Sequence, residues 1–181
     1  DSGTLAITGA TTINAGTADI TLDQAASTFG ALALTGANVA VTENAATDLA
    51  ASTVSGTLGI TSAGAVTDSG TLAITGATTI SASGQDITLD EAASTFGTLA
   101  LTGSNVAVTE NAAMDLGAST IGGTANFNST SNVITDSGTL AITGATTINA
   151  GTADITLDQA ASTFGALALT GANVAVTENA A

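Results

Sequence analysis

The chain contains no lysine, arginine, histidine, cysteine, proline, tryptophan or tyrosine, and only four phenylalanines. Each absence excludes something. Without a side-chain cation it cannot neutralise phosphates, so nucleic-acid binding and attraction to anionic lipid headgroups are ruled out on electrostatic grounds. Without histidine, cysteine, lysine or tyrosine it has no ordinary general base, nucleophile or electrophile, and the expectation is that it is not an enzyme. A fold with no cysteine has no disulfide staples, which fits either redox compartment. No run of about 18 apolar residues is present, so no membrane-inserting segment is expected, and no basic n-region with an apolar h-region opens the chain. The lack of lysine and arginine also leaves no site for trypsin-like proteases, which suits a location outside the cell.

What is present is 181 residues carrying 15 acidic side chains, a net charge of -15 and 44% hydrophobic residues. That apolar share, regularly spaced, argues against disorder. Much of it is alanine, so a thin core is expected.

The dominant feature is an internal repeat. The string DSGTLAITGATTI starts at Asp1 and returns at Asp68 and again at Asp136, the second interval being longer than the first by a single position. Residues Asp1 to Ala46 and Asp136 to Ala181 are identical, whereas the middle copy changes Asn14 to Ser81, Gly16 to Ser83, Thr17 to Gly84, Ala18 to Gln85, Gln24 to Glu91, Ala31 to Thr98 and Ala37 to Ser104. The chain therefore divides into repeat units 1–67, 68–135 and a partial 136–181, with the look of a window on a longer array.

Within a repeat, apolar residues alternate with period 2 in short runs: Leu5 and Ile7, Ile20 and Leu22, Leu32 and Leu34, Val39 and Val41, Leu58 and Ile60. Such alternation is strand, not helix. Gly9, Gly16, Gly36, Ser62 and Gly64 mark bends between runs. Three strand-plus-bend segments make a coil of about 22 residues, so the pattern predicts an all-β fold, a parallel β-helix or β-solenoid with about three coils per repeat and about eight in all. Crossover geometry favours a right-handed winding. A two-layer sandwich would need no exact long period. Leu5, Ile7, Leu72, Ile74, Leu140 and Ile142 are expected inside, with threonines outside. Phe29, Phe96 and Phe164 read as core plugs. The middle copy replaces Leu58 and Ile60 by Ala125 and Phe127, an exchange of volume that a filled core tolerates.

The acidic residues Asp1, Asp23, Glu43, Asp68, Asp90, Glu110, Asp136, Asp158 and Glu178 recur at steps of about 20 to 26, near one per coil. Stacked at about 4.8 Å, neighbouring charges would repel by about 0.9 kcal/mol in bulk water. One reading places them in solvated bends, where they keep sheet edges from aggregating. The other has Ca²⁺, a hard cation suited to oxygen ligands, bridging carboxylates on adjacent coils or adjacent rods. No cofactor is required by either. Gly16-Thr17-Ala18-Asp19-Ile20 and Ser83-Gly84-Gln85-Asp86-Ile87 carry a fragment of the nonapeptide calcium pattern, without its paired glycines or nine-residue recurrence. Paired carboxylates could hydrolyse glycosides, but that chemistry needs a cleft with long loops, and loops of two to five residues are expected here. Ice binding by threonine faces is interrupted by alanine and aspartate in the sets Thr4-Ala6-Thr8 and Thr17-Asp19-Thr21.

The strings GTLAITGATTINAGTADITLD, FGALALTGANVAVTEN and STVSGTLGITSAGAVTD resemble the strand repeats of giant bacterial surface proteins of the filamentous haemagglutinin, two-partner-secretion or autotransporter adhesin type. The resemblance covers the whole chain. It implies a right-handed parallel β-helix, export to the cell surface and a role as the stalk of an adhesin or surface fibre. Partners expected on this basis are identical repeats, end to end or side by side, with any host or neighbouring-cell surface contacted through other regions. A bundling sheath or biofilm-matrix fibre is the alternative role. The missing cations and near-perfect copies depart from typical members of that group and favour a structural shaft over a ligand site.

Overall fold

A computed structural model of the chain describes residues 1–179. They form 21 β-strands and no helix, and every strand pairing is parallel. The partners of each strand lie in the stretches of chain just before and just after it, as Leu32 does to Leu49 and Ala6 to Thr28. Such short separations leave room for only one winding of the chain between partners. The fold is the expected β-solenoid.

The winding is tighter than three coils per repeat. A single column of paired strands runs Ile20–Leu22, Val39–Glu43, Leu58–Ser62, Thr78–Ser81, Thr98–Gly103, Met114–Leu116, Ile134–Asp136, Ile155–Leu157. Ile155–Leu157, which pairs onward with Val174–Val176, has the same sequence as Ile20–Leu22 and is reached after seven steps, each close to the one that carries Ile20 to Val39 and Val39 to Leu58. The intermediate copy, Ile87–Leu89, is absent from this column and lies in another, between Val66–Asp68 and Val106–Thr109. One sequence repeat thus occupies three and a half turns, and successive repeats are half a turn out of phase. The phase advances where a straight strand faces two strands separated by a bend: Leu32–Gly36 faces Thr47–Leu49 and Ser52–Val54, and Thr98–Gly103 faces Met114–Leu116 and Ser119–Ile121.

At corners, where backbone ladders cannot close, buried serines take over. Ser27, Ser94 and Ser162 accept the N–H of Leu5, Leu72 and Leu140 at 3.0 Å. Ser52 and Ser119 do the same for Leu34 and Leu101 at 2.9 and 3.0 Å. A buried amide without such an acceptor would cost its desolvation, so these hydroxyls are structural.

The inward columns are aliphatic, as the period-2 pattern requires: Leu32, Leu49, Leu58, Val66, Leu72, Ile87 and Leu140 are at most 2% exposed. Ala125 and Phe127 both face inward, with Ala125 between Val106 and Thr146 and Phe127 between Val108 and Ile148. The volume exchange is therefore within one filled layer. Phe29 and Phe96 are buried and Phe164 partly so. One expectation fails: Ile7 is 36% exposed and Leu5 only half-buried, although Leu72, Ile74, Leu140 and Ile142 are buried. The first coil has no coil stacked beneath it among the described residues, so its inward face meets a neighbour on one side only.

The single residue that lengthens the second period sits in a turn. Ser129-Thr130-Ser131-Asn132-Val133 replaces the shorter Ser62-Ala63-Gly64-Ala65, with Thr130 and Ser131 at φ of 45° and 73°. The turn closes on itself through the Ser129 hydroxyl, which donates to the Asn132 carbonyl, and the Asn132 side-chain amide, which donates to that of Ser129 at 3.0 Å. Val133 is extruded to 43% exposure, and the following strand resumes register. Two consecutive non-glycine residues in the left-handed region are tolerated because the turn lies outside the ladders.

Two substitutions test the packing. Phe127→Ala should lower stability by about 3–5 kcal/mol, read as a fall in the urea midpoint. Thr78 is fully buried between Leu58 and Leu99, and its hydroxyl has no partner; Thr78→Val should raise stability by about 1 kcal/mol, seen as a higher midpoint at unchanged slope.

Candidate functional site

The nine carboxylates singled out above do not form one column. The half-turn offset separates equivalent acids of successive repeats, and the nine fall into three environments.

Asp1, Asp68 and Asp136 share one place in the repeat and hold the backbone of the next coil; Asp68 and Asp136 close their strands at buried positions, and Asp1 is exposed. Asp68 follows Val66 in the burial alternation and stacks on Leu49. Its Oδ1 accepts the Asp90 N–H at 2.8 Å and its Oδ2 the Glu91 N–H at 3.4 Å. Asp136 Oδ1 accepts from Asp158 N–H at 2.7 Å and Asp1 Oδ1 from Asp23 N–H at 3.1 Å. Asp23, Asp90 and Asp158 are the exposed partners in these contacts. The structure thus brings together three pairs, Asp1 with Asp23, Asp68 with Asp90 and Asp136 with Asp158.

Glu43 and Glu110 are buried at the phenylalanine corners, 2% and 0% exposed. Glu43 Oε1 accepts the Phe29 N–H at 2.7 Å. Glu178, their counterpart in the last described coil, is exposed. The two buried glutamates occupy the same place in the repeat but differ in their surroundings: Thr47 becomes Met114, and Ala63 becomes Thr130, whose hydroxyl donates to the Glu110 carbonyl. Burial raises the Glu43 pKa, and the Phe29 amide partly offsets it. Around Glu110 neither carboxyl oxygen closes a hydrogen bond, and burial, opposed only by the nearby Phe96 amide, pushes the pKa up to about 8. Burial thus favours the protonated form of Glu110 near neutral pH. Burial also raises Asp68 and Asp136. Amides of the next coil act against that shift, while the charges of Asp90 and Glu91 beside Asp68, and of Asp158 beside Asp136, add to it.

Among the remaining acids, Asp19, Asp86 and Asp154 build ladders on the outer surface. Asn38 donates its backbone N–H and its Nδ2 to Asp19 Oδ1 at 3.0 Å, and its own Oδ1 accepts the Thr57 N–H and hydroxyl at 3.1 Å. Asp86, Asn105 and Thr124 repeat this arrangement, and Asp154 with Asn173 begins it again. The aspartates in the calcium-pattern fragments thus serve asparagines one coil on. The signal was the constant spacing from Asp19 to Asn38, Asp86 to Asn105 and Asp154 to Asn173, legible only once the coil length is known. Asp48 accepts from Ser69, and Asp115 from Thr98 and Ser137.

Beside the Asp19 ladder, a shallow open groove of about 400 Å³ lies on the outer sheet face. Its floor is the column Thr21, Ala40, Gly59, Thr79, and it is concave because two central positions are alanine and glycine. In the middle copy Asn126 stands where Gly59 does. Among the described residues no group of three or more acidic side chains is placed to hold a metal ion.

The chain matches a family model described as repeats of unknown function (DUF5649) over residues 1–35, 36–102 and 103–171. It belongs to that family. The family boundaries at Gly36 and Gly103 mark the same period as the DSGTLAI string, cut at a different point. No curated protein and no solved structure matches the chain.

The buried acids make stability depend on pH with a definite sign. A carboxyl whose folded pKa lies above its unfolded value is most favourable to folding below the unfolded value and loses that contribution as pH rises through the folded one. For Glu110 the window is about 4.5 to about 8. The melting temperature should fall as pH rises from 4.5 to 8, and Glu110→Gln should flatten most of that fall while matching the parent near the acid end. Thermal melts across this range would check it, and a profile unchanged by the substitution would contradict the assignment.

Proposed function

We propose that this segment is the shaft of a long surface fibre or adhesin stalk, supplying length and stiffness and carrying no chemistry. One observation carries the reading: Asp68, Asp136, Glu43 and the corner serines accept backbone amides of neighbouring coils, so these side chains, which could have built a site, hold the winding together instead. The concave surface at Gly59 is an open groove on a flat face, without a tuned acid and base facing one another, which is unlike a hydrolase cleft. Placement outside the cell rests on the sequence resemblance to adhesin repeats and on the absent lysines and arginines.

A second reading, a laterally bundling sheath or matrix fibre assisted by Ca²⁺, is favoured by the exposed carboxylates of Asp23, Asp90 and Asp158. Bridging within one rod competes with the amide contacts that Asp68 and Asp136 already make. Bridging between rods does not, because the exposed acids remain available to oxygen-seeking cations.

Electron microscopy and light scattering of the purified protein in EDTA and in millimolar Ca²⁺ separate the two. A shaft stays as single rods with the same melting temperature in both. Ordered lateral arrays, or a melting temperature raised by Ca²⁺, would replace it with the bundling fibre. Compact particles in both conditions would remove both.

A further inference from the structure

We infer that the building unit of this rod is a pair of sequence repeats spanning seven coils, and that the rod consequently has two unlike long sides. The inference is independent of the shaft reading and rests on two observations that need not have coincided. The first is geometric. Seven pairings lead from Ile20–Leu22 to Ile155–Leu157, and Ile87–Leu89 lies in a different column. Equivalent positions therefore point one way in the first and third copies and the other way in the second. The second observation is in the sequence: the first and third copies are identical over residues 1–46 and 136–181, while the copy between them differs. Copies that share a direction share a sequence.

The differences on the outer surface have a consistent character. Ala18 and Ala37 stack at one corner through the Ala37 N–H donating to the Ala18 carbonyl at 2.8 Å, and Gly56 follows them through its own N–H to Ala37 at 2.8 Å. At the equivalent corner half a turn away the stack is Gln85, Ser104 and Gly123, joined in the same way at 2.6 and 2.8 Å. The face beside the first corner has Gly59 in its groove; the face beside the second has Asn126. One side is small and concave, the other is filled by longer polar side chains. In an array where the two kinds of copy alternate, every groove falls on one side, at intervals of about 34 Å for seven coils at about 4.8 Å. A partner recognising a feature of the repeat would meet it from one direction only, at that spacing.

The chain has no cysteine, so spin labels can be placed cleanly at the equivalent outward positions Thr21, Thr88 and Thr156 as the three double variants Thr21→Cys with Thr88→Cys, Thr88→Cys with Thr156→Cys, and Thr21→Cys with Thr156→Cys. Dipolar electron paramagnetic resonance then gives a triangle. The half-turn arrangement predicts about 34 Å between positions 21 and 156, with the two shorter distances summing to clearly more than the long one. Whole coils per repeat would put all three labels in line, with a long distance of about 29 Å for six coils equal to the sum of the short ones, and that result would overturn the inference. Ala40→Cys, Ala107→Cys and Ala175→Cys in the same pairings form a second triangle with the same two outcomes, should a threonine variant fail to give the parent's β-sheet circular dichroism.

Discussion

Everything in this rod follows from the parallel hydrogen bonding of each coil to the coils before and after it. A strand as short as Ile20–Leu22 is not stable alone, and its backbone groups are satisfied only by the strands stacked on it, as Val39–Glu43 is. The cross-section cannot be all strand, however, because the chain must bend. At each bend the ladder breaks and leaves amides that need acceptors. Ser27, Ser94 and Ser162, Ser52 and Ser119, Asp68 and Asp136, and Glu43 supply them. The polar residues of the repeat are thus set by where the backbone turns, and the apolar residues by where it runs straight.

This division explains the behaviour of an all-acidic chain. With no side-chain cation, a buried carboxyl has two ways to persist: accept hydrogen bonds from amides, or take up a proton. Asp68 follows the first route, and Glu110 the second. Between two copies of one corner, Glu43 keeps the Phe29 amide on one oxygen whereas both Glu110 oxygens lack a hydrogen bond, and the fold is undisturbed. The middle repeat is the more proton-dependent part of the rod, because the burial of Glu110 is not offset by a closed hydrogen bond.

The phase relation adds a constraint on the repeat itself. A period of three and a half turns means that each segment of the repeat stacks on different segments of the same or the next copy, never on its own equivalent. Thr78 sits between Leu58 and Leu99, and Ala125 between Val106 and Thr146. Core complementarity is therefore between unlike positions, so Ala125 with Phe127 can replace Leu58 with Ile60 provided the layers above and below accept the exchange. The extra residue of the second period is kept out of these layers by the Thr130–Ser131 turn.

The sequence by itself determined that the chain is built of strands, that the strands wind as a solenoid, and that Leu, Ile and Val of the period-2 runs face inward. These are properties of local alternation and exact repetition, which survive without coordinates. Tertiary structure decided the coil length, the half-turn offset, the exposure of Ile7 and the separate duties of acids that look alike in the string. Asp68, Asp90 and Glu110 all stand at or just after the end of a strand; one caps the next coil, one faces solvent and one is buried with no hydrogen-bond partner. The physical reason is that pairing register depends on how many residues each bend consumes. That number comes from the fit of successive coils to one another, and an alternating pattern punctuated by bends is compatible with the shorter coil that carries Ile20 to Val39 as readily as with the longer one expected from three equal segments.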